Sequence, residues 1–275
     1  MFAFIILHYL DEKSTEKCIK SILDNTYEPE TKIIVVDNAS NNGSIEYLKA
    51  SFSLISNIAF ITNNQNLGYS RGNNIGIKYA KQTFNPDFYI VLNNDTFITD
   101  RNIEDKIKDE YIKNEYDICA PIIWNCKRHY NQNPFYVISS YSELEKKYKQ
   151  LLVGKKILDS YLPIFYYFYN KLPFYKIKYE KGIFGAAIIF TKKYVHRFGE
   201  PYPEITFLYF EEFLLNQRIK EFSLKIQYSD NIKVFHNHSS STKKISKNNI
   251  MKWKFQNKEM INAIKAIKNK DKKLR

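Results

Sequence analysis

The alternation of apolar runs with helical patterns is the feature that most constrains this fold. Four runs of mostly apolar residues occur early in the chain, and the stretches between them repeat their apolar residues every three or four positions. The runs are residues 2–9, 33–36, 58–61 and 88–92, and the helical patterns are residues 14–24, 43–51 and 72–81. Because uninterrupted apolar strands belong in a parallel sheet covered on both faces, we predict an α/β fold with a Rossmann-like, open, mostly parallel sheet flanked by helices.

Small polar residues follow three of these predicted strands. They are Asp37-Asn38, Asn63-Asn64 and Asn93-Asn94-Asp95. In an open α/β sheet, ligands bind at the carboxyl ends of the strands. The sequence therefore predicts a binding site where these three segments meet.

Three short motifs carry groups that are able to do chemistry, and each has a structural alternative. Asn93-Asn94-Asp95 suits a divalent cation and a diphosphate, but such residues also dominate turns. Glu211 and Glu212 open a helical pattern, either as a general base or as a complement to the helix dipole. His236 and His238 end a strand, where they are candidate metal ligands or packing residues.

A glycine-rich segment, residues 66–76, leads into the third helical pattern. Backbone amides at a helix N-terminus favour an anion, and Arg71 is able to reach a phosphate. The Gly-x3-Gly-x3-Gly spacing matches neither a dinucleotide-binding fingerprint nor a Walker loop. The same spacing also allows a helix to pack closely on a sheet.

The second half of the chain is less regular. Residues 128–180 include nine aromatic residues between positions 161 and 179, and we interpret this region as an insertion or a subdomain. Order then resumes with a predicted strand over 182–190, a helix over 209–221 and a strand over 232–235. We therefore expect one domain over residues 1–242, followed by a basic amphipathic segment over residues 243–275.

Positive charge is concentrated at the C-terminus. The net charge is +13, and residues 243–275 hold twelve basic and two acidic residues, or +10 of that total. Thirty-six of the 42 basic residues are lysine, a mobile point charge rather than a bidentate reader of bases, which argues against a nucleic-acid partner. The amphipathic segment is able to bind an anionic membrane surface or to dock on the domain with its lysines solvated, and the two roles do not exclude each other.

Cysteine usage and hydropathy bear on location. Three cysteines at unrelated spacings form neither a disulfide framework nor a zinc pattern, which favours a reducing compartment. The apolar start of the chain lacks the basic segment and cleavage site of a signal peptide, and no run is long enough for a membrane span. We therefore expect a cytoplasmic protein, with any association at the inner face of the plasma membrane being peripheral.

The order of the motifs along the chain resembles the family 2 glycosyltransferases, and within them the rhamnosyltransferase-like group. The resemblance covers roughly residues 3–260 and rests on the segments 35–40, 66–76, 92–96, 185–187 and 209–212, followed by His236. It implies a GT-A fold and an inverting transfer from a nucleotide sugar. The implied organisation is a nucleotide-binding half over residues 1–100, an insertion or acceptor-side region over 128–180, and an acceptor and catalytic half over 181–242.

The resemblance also implies roles for individual residues. Asp37 would contact the nucleotide base, Asp95 and His236 would bind Mn²⁺ or Mg²⁺, and Glu212 would be the base, with Glu211 as the adjacent candidate. Asn93 stands where other members have a first carboxylate, and Glu212 where the group usually has aspartate. The remaining nucleotide-sugar contacts implied are Asn38, Asn66, Gly68, Arg71, Asn73, Asn93, Asn94 and Gly185.

The implied function is the transfer of a sugar from dTDP-rhamnose or a UDP-sugar to a hydroxyl of a glycan acceptor. The acceptor would be lipid-linked, as in cell-surface polysaccharide synthesis. The alternative is a catalytically inactive protein of the same fold that binds a glycan or a membrane. Departures such as Leu10 and Glu212 permit that alternative, whereas the intact Asp95, Glu211 and His236 argue against it.

Overall fold

A computed structural model describes residues 1–27, 30–160, 163–169, 176–238 and 249–274, with side chains through residue 270. The first part of the chain alternates strands and helices as predicted. Its elements are β1 (Phe2–His8), α1 (Glu12–Leu23), β2 (Thr31–Asp37), α2 (Ser44–Ser51), β3 (Ile58–Thr62), α3 (Gly68–Thr83) and β4 (Phe88–Asn93).

The later elements include several short strands and two long helices. They are β5 (Thr96–Phe97), α4 (Ile103–Asn114), β6 (Ile118–Asn125), β7 (Tyr130–Asn131), β8 (Phe135–Ile138), α5 (Tyr141–Leu158), α6 (Phe165–Tyr169), β9 (Tyr179–Gly182), β10 (Ala187–Thr191), α7 (Lys192–Phe198), α8 (Glu211–Glu221), β11 (Ile226–His236) and α9 (Asn249–Leu274).

Within the described residues, the main sheet has the strand order β3-β2-β1-β4-β10-β6-β11-β5, with β7 added to β6. Strands β3, β2, β1 and β4 run parallel to one another, whereas β10 is antiparallel to both β4 and β6. Strand β1 lies between β2 and β4: the chain moves outward from β1 through β2 to β3 and then returns to the other side of β1 as β4. Such a reversal opens a crevice at the carboxyl ends of the strands.

Apolar side chains cover both faces of the sheet. Successive residues of β1 alternate between two clusters: Phe2, Phe4 and Ile6 pack on one face, and Ala3 and Ile5 on the other. The first cluster includes apolar residues of α1, α2 and α4, and the second includes residues of α3, α7 and α8. Burial on both sides explains why these strands are apolar throughout rather than alternating.

The predicted strand over 182–190 is wrong as a single element. Its first residue, Gly182, ends β9, which pairs with β8 in a separate two-stranded sheet. Residues 187–190 lie in β10, which belongs to the main sheet. Residues 183–186 pass between the two sheets without strand geometry. A short apolar run does not reveal such a change of partner, because hydrophobicity reports burial and not pairing.

Helix α9 confirms the predicted amphipathic helix, and its apolar face packs on the domain. Ile261, Ile264 and Ile267 are buried in one cluster with Leu144 and Leu151 of α5. This arrangement is the docked alternative. Residues 243–248 of the predicted segment, and residues 161–162 and 170–175 of the predicted insertion, lie outside the described residues.

None of the helices in the described ranges is both long enough and apolar enough to cross a membrane.

Candidate functional site

Two candidate metal ligands from distant parts of the chain lie side by side. Asp95 follows β4 and His236 ends β11, and the Asp95 Oδ1 to His236 Nε2 distance is 3.1 Å. Strand pairing fixes this approach, because β11 pairs with β5 and the Asn237 amide donates to the Asp95 carbonyl at 3.0 Å. Both side chains are nearly buried, with 11% of Asp95 and 5% of His236 exposed.

The hydrogen bonding of His236 fits a cation-binding role. Its Nδ1 lies 2.9 Å from Gln132 Oε1, which is an acceptor, and its Nε2 faces the Asp95 carboxylate, which is also an acceptor. A neutral imidazole carries one N–H, so donation to Gln132 leaves the Nε2 lone pair directed at Asp95. A metal-bound histidine typically has this arrangement, with its second ring nitrogen held by another polar group.

These two residues alone would make an incomplete cation site. Among the described residues there is no group of three or more His, Cys, Asp or Glu side chains placed to hold a metal. Mn²⁺ and Mg²⁺ are often held by one or two protein ligands while substrate phosphates supply further oxygens. The pair therefore fits a cation that arrives with a phosphorylated ligand.

The two adjacent glutamates begin α8 and differ in exposure. Glu211 is buried, and its Oε1 has no hydrogen-bond partner. Glu212 is half-buried. The preceding residues Tyr209 and Phe210 have φ values of 71° and 66°, so the helix begins two residues later than predicted. This left-handed dipeptide turns the chain into α8 and directs both carboxyl groups inward.

Burial disfavours the charged form of both carboxyl groups. Desolvation, reinforced by the charge of Glu212, raises the pKa of Glu211 to about 8. Desolvation also raises the pKa of Glu212, although the backbone amides of Glu212 and Gly185 act in the opposite direction. At neutral pH the pair therefore carries less than two negative charges, and Glu212 is the more accessible proton acceptor.

Residues 184–186 connect the glutamates to the Asp95–His236 pair. The Phe184 ring lies 5.9 Å from the His236 ring, and a Cβ added to Gly185 would be 3.1 Å from Glu212 Oε1. The Ala186 carbonyl accepts a 2.9 Å hydrogen bond from the Asn93 amide. One short segment therefore touches all three motifs.

Asn38 organises the side of the crevice that follows β2. Its Nδ2 donates to Asn66 Oδ1 at 2.8 Å and to the Gly68 carbonyl at 3.1 Å, and its Oδ1 accepts from the Leu67 amide. Asp37 is 1% exposed and accepts from the Ser40 amide and hydroxyl. Asp37 thus fixes its own turn, and Asn38 joins that turn to the glycine-rich segment.

The glycine-rich segment makes a close backbone contact with the chain before α8. Gly68 has φ +79°, and a Cβ there would lie 2.0 Å from the Phe207 carbonyl oxygen. The same carbonyl accepts a 3.0 Å hydrogen bond from the Tyr69 amide. Any larger residue at position 68 would separate these two segments, so the requirement for glycine here is steric as well as conformational.

Three of the predicted contacts lie away from this cluster. Asn73 is fully buried and donates to the Tyr69 carbonyl within α3, and Asn94 donates to Thr15 Oγ1. Arg71 is largely exposed, with its Nε 3.8 Å from Glu204 Oε2. Asn73 therefore supports the backbone of α3, Asn94 joins the end of β4 to α1, and Arg71 lies at the outer margin.

Sequence reasoning missed three residues that complete the site. Gln132 contacts His236, Phe184 packs on His236, and the Tyr69 hydroxyl donates to the Gly185 carbonyl at 2.5 Å. Tyr69 lies within the glycine-rich segment, so its position in that motif was a signal in the sequence. Gln132 had no sequence signal, because it lies in a loop without periodicity or motif.

Comparison with protein families matches residues 3–173 to the family described as "Glycosyl transferase family 2". The chain belongs to glycosyl transferase family 2. The matched segment contains Asp37, residues 66–73 and Asp95. Gly185, Glu211, Glu212 and His236 follow it in the chain, and the fold brings them to the same edge of the sheet.

Solved structures similar to this family 2 chain include three of S. aureus TarS. TarS 1–349 is 12% identical over 96% of this chain and 70% of its own length, with a TM-score of 0.55. Its complex with UDP-GlcNAc is 13% identical over 87% and 59%, with a TM-score of 0.57, and its complex with UDP is 12% identical over 94% and 69%, with a TM-score of 0.56. At these identities the likeness shows a GT-A fold, as the sequence predicted. No curated protein matches the chain in sequence.

Proposed function

We propose that this family 2 glycosyltransferase moves a sugar from a nucleotide-sugar donor to a hydroxyl of a glycan acceptor, with inversion and with a divalent cation. The observation that carries the proposal is the placement of the Asp95–His236 pair and Glu212 around residues 184–186. A leaving-group site and a base site that contact neighbouring residues of one short segment suit a displacement at a carbon held near both of them.

The segments after β2 and before α3 would hold the nucleotide. Asn38, Asn66 and Gly68 join these segments, and the buried Asp37 stabilises the turn that contains Ser40. Direct contact of Asp37 with the base, and participation of Arg71 at a phosphate, remain predictions. The chemistry suits dTDP-rhamnose or a UDP-sugar, and assignment to the rhamnosyltransferase-like group is part of this proposal.

Glu212 would take the proton of the acceptor hydroxyl. The hydroxyl oxygen then attacks the anomeric carbon, and the bond to the diphosphate oxygen breaks with its electron pair leaving on the nucleoside diphosphate. Attack opposite to the leaving group inverts the anomeric centre. A Mn²⁺ or Mg²⁺ ion held by Asp95 and His236 would neutralise charge on the leaving diphosphate. Burial raises the pKa of Glu212, which makes this carboxylate a stronger base than an exposed glutamate.

We further propose a lipid-linked acceptor and a peripheral position on the cytoplasmic side of an anionic membrane, in cell-surface polysaccharide synthesis. The concentration of lysine at the C-terminus supports this position. In this proposal, residues 1–100 bind the donor, and residues 181–242 contain the base and bind the acceptor.

A ligand screen followed by one substitution tests the proposal. We expect UDP, dTDP or one of their sugars to raise the melting temperature with Mn²⁺ or Mg²⁺, and EDTA to reduce the increase. The nucleotide sugar that raises the melting temperature should then be hydrolysed slowly in the absence of an acceptor. Asp95→Asn should abolish the metal-dependent increase, whereas Asp105→Asn, on the exposed side of α4, should not. Binding without hydrolysis or transfer would favour the inactive-protein alternative, and the absence of any nucleotide effect would contradict the proposal.

A further inference from the structure

Large apolar side chains are exposed on α6, on the residue before it and at the start of α9, where the Trp253 ring contacts the Tyr166 and Tyr167 rings of α6. Ile164 is 54% exposed, Phe165 53%, Tyr167 45%, Phe168 57% and Met251 62%. We refer to these five residues as the aromatic patch. Exposed apolar side chains that gather at one place mark an interaction surface, because burial at that surface recovers the hydrophobic free energy.

The remaining aromatic residues of α6 fix the patch in place. Tyr166 is buried against Gly154 of α5, where an added Cβ would lie 2.8 Å from its ring. The Tyr169 hydroxyl donates to the Gln150 carbonyl at 2.9 Å, and the Tyr166 ring lies 5.8 Å from the Trp253 ring of α9. The inner aromatics therefore hold α6 on α5 and α9, and the outer ones project from a supported base.

Positive charge accompanies the patch. Lys155 and Lys254 are about half exposed and flank Asp159, at N–O distances of 2.6 and 3.9 Å. Helix α9, which provides Met251 and Trp253, holds six lysines and one glutamate between positions 249 and 270. Aromatic residues beside lysines suit the boundary between lipid headgroups and acyl chains, where rings are partly buried and ammonium groups meet anionic headgroups.

We propose that the aromatic patch and the lysines of α9 form a docking surface for an anionic phospholipid bilayer. The apolar face of α9 is not available for this purpose, because Ile261, Ile264 and Ile267 are buried against α5 and α8. The membrane contact is therefore made by α6 and the first turn of α9, with the lysines oriented by a docked helix. This inference rests on the peripheral position proposed above, and is independent of the transfer reaction.

Vesicle flotation with the full chain tests the surface. We expect binding to vesicles containing about one-third phosphatidylglycerol and little binding to pure phosphatidylcholine. F165S/F168S should lower the partition constant at least tenfold. The matched control is L54S/I112S, which removes two large side chains that are 95% and 75% exposed on other elements and should bind as the unsubstituted chain does.

The charge contribution is tested separately with K254E/K258E. Each lysine near an anionic surface contributes about fivefold to the partition constant, and reversal should cost at least that much per position. Equal melting temperatures, and retained nucleotide effects where these are found, establish that each variant is folded.

Three outcomes would overturn the inference. The first is no binding of the full chain to anionic vesicles, and the second is unchanged binding by F165S/F168S. The third is a concentration-dependent dimer that F165S/F168S converts to a monomer while vesicle binding persists, which would assign the patch to a second copy of the chain. Loss of nucleotide-sugar hydrolysis with intact vesicle binding would instead contradict the proposed function and leave this inference standing.

Discussion

The carboxyl edge of the sheet and the contact between α9 and α5 are both buried, but their side chains differ in polarity. Carboxyl groups lie at the sheet edge, and apolar side chains form the helix contact. At the sheet edge, Glu211 and Glu212 share a poorly solvated space, and Glu211 Oε1 lacks a partner. In the helix contact, Ile261 and Ile264 meet leucines. Burial stabilises apolar groups and penalises charged ones, so the same degree of burial has opposite energetic consequences in the two regions.

The backbone shows the same contrast. The sheet edge includes the left-handed residues Tyr209 and Phe210, and the close approach of Gly68 to Phe207. Helix α9 is regular across its whole described length. Strained conformations persist only where the surrounding structure enforces them, and they gather at functional sites. We infer that the sheet edge is optimised for chemistry and that the helix contact contributes stability.

The largest expected effect is on catalysis at the sheet edge. Glu212→Gln removes the proposed proton acceptor while keeping its size, and we expect transfer to fall by roughly 10²- to 10⁴-fold. Glu221→Gln, at the exposed end of the same helix, is the matched control and should retain activity. Initial rates with the donor found by the ligand screen measure both. A fully active Glu212→Gln enzyme would exclude Glu212 as the base.

In the helix contact, the largest effect is expected on stability. Ile264 is fully buried, and Ile264→Ala leaves a cavity between α9 and its neighbours. The expected loss is about 2–5 kcal/mol in the free energy of unfolding. Its exposed neighbour offers a control, because Lys265→Ala should change stability by no more than about 0.5 kcal/mol. Denaturant unfolding measures both, and equal values for the two variants would show that α9 is not docked as described.

A gain in stability that is confined to pH values above about 4.5 is expected from Glu211→Gln. The unfolded chain loses the Glu211 proton near pH 4.5, whereas burial holds the folded-state pKa at about 8. Between these values the folded state binds more protons, so wild-type stability falls as pH rises.

Glutamine has no charge to bury at any pH. The advantage of Glu211→Gln should therefore be near zero at pH 4.5 and grow to on the order of 4 kcal/mol at pH 8, because each pH unit between the two pKa values contributes about 1.4 kcal/mol. Melting temperatures across this range measure it. A difference that does not change with pH would show that the Glu211 carboxyl group is not buried in this way.

The sheet was predictable because its strands are buried on both faces. The runs that became β1 and β4 are apolar throughout, and their carboxyl ends lie at one edge of the sheet as predicted. The division of residues 182–190 was not predictable, since Gly182 and Ala187 belong to different sheets and the apolar pattern is continuous across them.

Candidate site residues were predictable where a motif identifies the residue and a predicted strand gives its position in the sheet. Asp95 and His236 are 141 residues apart, and their approach follows from the pairing of β5 with β11, which no local pattern encodes. Gln132 was not predictable for the same reason, because its role depends on its contact with the imidazole of His236. The docking of α9 on the domain was one of two interpretations of the sequence, because the apolar face of an amphipathic helix is able to pack on a protein surface or bind a membrane.

The backbone contact between Gly68 and Phe207 has a consequence for how the protein is made. The glycine-rich segment is held in part by a carbonyl that is synthesised almost 140 residues later. A nascent chain that has reached only the end of the matched family segment, at residue 173, therefore lacks the Phe207 carbonyl that the glycine-rich segment contacts. If the glycine-rich segment holds the nucleotide as proposed, a chain shortened to residue 173 should not bind the donor.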